Sequence, residues 1–152
     1  MTDAYHELLD DLSHTTTRIQ EMAEKYADDI PAGTADDWGP PQVVAHLVDV
    51  DKLFRTRVQT MLSQETPYLK SWHPEVGPEG VAQELRPQLE AFANERGELI
   101  SLLMNLPLKG WERTGVHDEH GHITVEELIE VLINHDENHL KQIETFLGTQ
   151  NG

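Results

Sequence analysis

The stretch LIEVLINHDENHLKQIETF, residues 128–146, decides the fold. Leu128, Val131, Leu132, His135, His139, Ile143 and Phe146 recur at intervals of three and four, the spacing of one helix face. The helix opens at TVEE, where Thr124 and Glu127 have the spacing of a capping box. Two positions on this apolar face are imidazoles four residues apart, where leucines would pack as well.

Outward from this helix, three more patterns of the same period appear. In the first, Tyr5, Leu8, Leu12, Thr15, Ile19, Met22, Tyr26 and Ile30 form a stripe, and PAGTADDWGP ends it. The second opens at GPPQ, with Gly39 as N-cap, Pro40 in the first turn and Gln42 at the third position. Its stripe is Val43, Leu47, Val50, Phe54, Val58 and Met61. The third runs Val81, Leu85, Leu89, Phe92, Arg96, Leu99, Leu103 and Leu106, with a kink or a fresh start expected at Pro87. No strand-like alternation competes with these patterns. Helices of this length need one buried face to be stable in water. Four complementary stripes therefore predict an all-α chain, a four-helix bundle occupying a single domain over residues 1–150. The long connections after helices two and three exceed ordinary bundle loops and are expected to be functional or to carry short helices. Trp72, His73, Trp111, His117 and His120 lie there and are able to close over a site.

The composition narrows the function classes. With 28 acidic and 11 basic side chains the net charge is −17, which repels phosphate backbones and argues against nucleic acid or an anionic membrane as partner. No apolar run approaches the ~18–20 residues of a membrane span. MTDAYHELLDDLSH has neither basic region nor apolar run, so no secretory signal is expected. There are no cysteines, which removes disulfides, thiolate ligands and Cys nucleophiles together. A cytoplasmic location is the expectation.

Residues i and i+4 of a helix have Cβ atoms about 5–6 Å apart, so His135 and His139 are able to converge on one ion. His46, in VVAHLVDVDKLF, lies three after Val43 and four before Val50, inside the stripe of helix two. A lone histidine on such a face is ordinarily a hydrogen-bonded core residue. Three facing one core are better explained by a divalent cation, because burying imidazoles without partners carries a desolvation cost. Imidazole-only ligation suits Zn, Ni, Cu or Fe rather than Mg or Ca. Three protein ligands leave a position open, as catalytic sites do. Asp49, one turn after His46, is read as an exposed carboxylate, or else as an acceptor behind a ligand.

WGPPQVVAHLVDVDKLFRTRV, FANER in helix three and HGHITVEELIEVLINHDENHLKQIE together resemble the DinB-like (DinB/YfiT-like) family over nearly the whole chain. The resemblance implies a four-helix bundle, often dimeric, with a tri-histidine metal site. Carried over residue by residue, it assigns the ligands to His46, His135 and His139, the three that helical geometry selects. It also implies a homodimer and a small-molecule substrate, among relatives a low-molecular-weight thiol. The activities it allows are thiol S-transfer, metal-dependent hydrolysis, or binding of a metal or small molecule without catalysis. The residues themselves do not choose among these, although the resemblance leans toward the transferase.

Other features have plainer readings. HDENH has the His spacing of the zincin motif H-E-x-x-H, with Asp136 where the general base would stand; a capping or solvated exterior carboxylate is the alternative taken here. GVHDEHGHIT holds His117, His120 and His122, read as turn residues or lid contacts rather than a second metal site, with His117 and His120 given some support by the resemblance as neighbours of the site. His6, His14 and His73 have no partners at useful spacing. Arg96 on an apolar stripe implies an ion pair with a neighbouring Glu, or alternatively an anion-binding role in a pocket. Gly97 beside it suggests close packing.

Overall fold

The computed structural model describes residues 3–26, 33, 37–71 and 84–151. Ile30, Val81, Trp72 and His73, which the sequence places on stripes or in a lid, lie outside these residues. The long helices are α1 (Asp3–Tyr26), α2 (Pro40–Ser63), α3 (Leu85–Met104) and α5 (Val125–Asn151). α4 (Leu108–Trp111) is one short turn between α3 and the segment that follows. No described helix is long and apolar enough to cross a membrane.

Local signals set the helix ends. The Gln42 side chain accepts from the Gly39 N–H at 2.9 Å, and the Val43 N–H reaches the Gly39 carbonyl at 3.1 Å. At α5 the capping box is complete: Thr124 N–H donates to Glu127 Oε1 at 2.9 Å and Glu127 N–H to Thr124 Oγ1 at 3.1 Å. Three otherwise orphaned donors, the N–H groups of Gly39, Thr124 and Glu127, thus find acceptors, and Val43 makes the first bond within α2. Pro87 sits in the first turn of α3, so the chain makes a fresh start at Leu85 instead of kinking.

α1 and α2 each pack on both α3 and α5, so the order around the bundle is α1, α3, α2, α5. The apolar core divides in two. One cluster contains Leu12, Val50, Phe54, Val58, Leu99, Leu103, Leu128 and Leu132. The other contains Ile19, Val43, Leu47, Phe92, Leu140 and Ile143. Full burial of each such side chain contributes about 1.5–3 kcal/mol.

A polar layer separates the clusters. Arg96 on α3 is 1% exposed, and its five N–H groups are all used. Nε and Nη2 donate to Asp51 at 2.7 and 2.9 Å, Nη1 and Nη2 donate to Asp136 at 2.9 and 3.0 Å, and Nη1 also reaches the Leu12 carbonyl at 2.9 Å. Thr15 Oγ1 donates to Asp136 Oδ2 at 2.9 Å. One guanidinium thus ties together α1, α2 and α5. Two expectations are corrected: Arg96 pairs with two aspartates rather than a glutamate, and Asp136 is buried rather than on the exterior. Gly97 is exposed, and an added Cβ there would meet nothing within 4 Å, so it does not mark close packing.

The second long connection holds more than a loop. β2 (Thr114–His117) and β3 (Gly121–Thr124) form an antiparallel hairpin, and β1 (Tyr68–Leu69) pairs parallel with β2. The all-α reading therefore needs a small sheet added to it. Gly121 takes φ +68° at the end of the turn, a conformation glycine adopts without steric cost. A Cβ on Gly115 would come within 2.9 Å of Leu69 Cδ1 and 3.2 Å of the Pro67 carbonyl, so a larger residue there would push on β1 and the turn before it. Arg113 donates to the carbonyls of Met61 and Gln64 at 3.0 and 2.8 Å, which pins the hairpin to the end of α2.

Candidate metal centre

His46 from α2 and His135 and His139 from α5 meet beside the polar layer. Their ligating nitrogens all lie within 4.8 Å of one another. His135 Nε2 is 3.4 Å from His46 Nε2 and 3.1 Å from His139 Nε2. Each Nε2 carries either a proton or a lone pair, so His135 Nε2 is unable to make good hydrogen bonds to both neighbours. A single cation accepts all three lone pairs at once. Two nitrogens each ~2.1 Å from one ion, at tetrahedral to octahedral angles, stand ~3.0–3.4 Å apart. The donor set and its spacing therefore fit a divalent metal.

The surroundings keep the rings neutral. Burial lowers the His46 pKa to about 4, with the nearby His139 and His135 adding to the effect. Burial also lowers His135 to about 4, helped by His139 and Arg96 against the opposing charge of Asp136. His139 is lowered by burial, against a bond to Gln142. Neutral imidazole is the form that binds a metal. His139 Nδ1 lies 2.7 Å from Gln142 Oε1, and donation to that oxygen leaves the Nε2 lone pair available. His135 Nδ1 is buried without a hydrogen-bond partner among the described residues. Trp38 lies against His46, ring centroids 5.5 Å apart.

The cluster opens onto a cleft of about 300 Å³. His46, Val50, Phe54 and Arg57 line it from α2, at positions i, i+4, i+8 and i+11 of one face. Val131 and His135 line it from α5, and His117, Glu119 and His120 from the hairpin. His117 is 7% exposed; its Nδ1 accepts from the Glu119 and His120 N–H groups at 3.0 and 3.3 Å, so its proton resides on Nε2. Thus His117 and His120 are site neighbours, as the resemblance implied. His117 is a buried strand residue and His120 an exposed turn residue. His122 is exposed on β3 and takes no part in this cleft, while Asp49 is exposed as expected. Trp111 is buried in the core, stacked on Tyr5 with ring centroids 4.6 Å apart, and is no lid.

Asp136 does not stand in for the zincin glutamate: both its oxygens accept from Arg96, one also from Thr15. Arg96 likewise belongs to the core and does not line the cleft. Arg57, Ser71, Glu119 and Gln142 escaped the sequence reading. The signal for Arg57 was present, eleven residues after His46 and so on nearly the same helix face.

The DinB superfamily profile matches residues 1–143. The chain belongs to the DinB superfamily. Among solved structures, this DinB protein is similar to YfiT from Bacillus subtilis, described as "a probable metal-dependent hydrolase with an unusual four-helix bundle topology". The likeness has a TM-score of 0.83 at 19% identity and covers 99% of this chain and 90% of that one. At that identity it establishes the shared bundle and leaves chemistry to the residues. Among curated proteins, none matches.

Proposed function

We propose that this DinB protein is a metal-dependent hydrolase of a small molecule, with His46, His135 and His139 holding one divalent transition cation, zinc or nickel. The observation that carries the reading is the convergence of three Nε2 atoms, with His135 Nε2 so close to the other two that it is unable to satisfy both by hydrogen bonding. The description of YfiT supports hydrolysis over other metal chemistry. Thiol transfer draws no separate support from any cleft residue.

A divalent cation there would supply Lewis acidity, making water a nucleophile near neutral pH and polarising a carbonyl. The chain's own residues perform the remaining tasks. Gln142 holds the His139 tautomer through Nδ1. Val50, Phe54 and Val131 give the cleft an apolar wall that excludes bulk water from one side of the substrate. Glu119 and His120, exposed on the hairpin side of the wall, are the candidates for exchanging a proton with the leaving group. The cleft admits a small molecule, in keeping with an acidic surface ill suited to nucleic acid.

The test is elemental analysis of the purified protein and of His135→Ala, with hydrolysis of small esters and amides followed before and after chelation. The wild type should carry about one equivalent of metal and lose hydrolysis on chelation, while the folded variant carries far less metal. A full equivalent in His135→Ala would exclude it as a ligand, and a metal-loaded wild type inert toward all these substrates would remove the hydrolase reading.

A further inference from the structure

We infer that the end of the cleft remote from the three histidines is a carboxylate-binding subsite built by Arg57, His117 and Ser71, and that the substrate is an elongated molecule ending in a carboxylate. This deepens the hydrolase reading and rests on it for the position of the reacting group.

Arg57 is 8% exposed. Among the described residues its one hydrogen bond is from Nη2 to the Lys70 carbonyl, at 2.6 Å. No carboxylate among the described residues lies within ion-pair distance of it. Arg96, in the core of the same protein, satisfies a buried guanidinium with two aspartates and a carbonyl. Arg57 is largely buried at the cleft wall, less completely than Arg96, yet among the described residues most of its donor edge has no acceptor. A buried charge in that condition is costly unless a ligand completes it.

Two further groups on the cleft wall are similarly incomplete. His117 presents an Nε2 proton, because its Nδ1 is occupied by the turn backbone. Ser71 Oγ is buried with no hydrogen-bond partner among the described residues. The three offer a planar charged fork, an N–H and a hydroxyl, which suits one planar anion. Asp118, which accepts from the Ser71 N–H at 2.9 Å, and Glu119 are the acidic groups nearby. Their charge disfavours a dianionic phosphate more than a monoanionic carboxylate.

The distance to the metal centre sets the length of the substrate. The Arg57 guanidinium lies over the Phe54 ring, 5.6 Å from its centroid, which brings it back toward His46. From His46 to Phe54 the helix rises ~12 Å. The bond to be cleaved and the carboxylate should therefore be separated by a chain of several bonds, lying along Val50 and Phe54.

The test is calorimetric titration of the metal-loaded and metal-free proteins with ω-acetamido carboxylates of graded chain length and with their uncharged carboxamide twins. The metal content of every sample is measured in parallel. A carboxylate of matching length should bind the wild type at least about tenfold more tightly than its twin. Arg57→Gln should abolish that preference and Arg57→Lys should restore part of it, while inorganic phosphate fails to compete. The proposal is overturned if no chain length distinguishes carboxylate from carboxamide in the wild type, a comparison that needs no variant to fold. It is overturned equally if the preference survives in a folded Arg57 variant, or if phosphate competes as well as the carboxylate. Carboxylate preference in a wild type that takes up no metal when zinc or nickel is supplied would remove the hydrolase reading and leave this one standing. Bound metal without the preference would do the reverse.

Discussion

At the scale of single residues, the same burial that prepares the histidines for a metal makes the metal-free protein sensitive to acid. His46 and His135 both have folded-state pKa values of about 4, lowered from an ordinary 6.5 chiefly by burial. Between those values the unfolded chain binds more protons than the native one, so stability rises with pH. The contribution is complete above about pH 6.5 and is lost as the pH falls toward 4. The melting temperature of metal-free wild type should therefore drop more steeply over that interval than that of His46→Gln/His135→Gln, which lacks these two rings and keeps every other ionisable group. Parallel curves would show that the rings are not held neutral by the fold. These histidines were legible in the sequence because they occupy positions where a helix face should be apolar. Gln142 was not, because a glutamine on a helix carries no periodic signal until its partner is known, and Arg57 had a readable spacing from His46 but no sign of its burial.

At the scale of elements, the Arg96 layer explains how the bundle fixes the rotation of α5. Asp136 can reach Arg96 in one orientation of the helix only, and that orientation carries His135 and His139 to the side facing His46. The sequence showed Arg96 to be anomalous but gave the wrong partners, since Asp51 and Asp136 lie 45 and 40 residues away in the chain. Asp136 also looked exterior, because HDENH is polar throughout. The strands were missed for a related reason: β2 and β3 are four residues each, too short for an alternating pattern to emerge among glycines and histidines. Arg96→Met leaves two buried carboxylates without a counter-charge and should cost about 3–5 kcal/mol in denaturant unfolding. Converting Asp51 and Asp136 to apolar residues as well should recover much of that loss. If the single and triple variants are equally unstable, the layer acts through packing rather than charge.

At the scale of the whole molecule, the stripes showed which face of each helix is buried but not which helix it meets. The order α1, α3, α2, α5 sets consecutive helices α1 and α2 across a diagonal, an arrangement that short loops would not favour. It makes α2 and α5, far apart in the chain, direct neighbours, and the three histidines lie on that contact. A cation held there would cross-link the two helices and bind the native state alone. Stability should then rise by RT ln(1 + [L]/Kd), about 2.7 kcal/mol at a hundredfold excess of metal over Kd. For a chain of this size, each kcal/mol raises the melting temperature by about 2–4 °C. Zinc at that excess should thus raise the wild-type melting temperature by roughly 5–10 °C over a chelated sample. His46→Ala, which removes the α2 side of the cross-link, should lose most of the increase. An equal rise in both proteins would place the stabilising ion elsewhere on this acidic surface and detach the histidines from it.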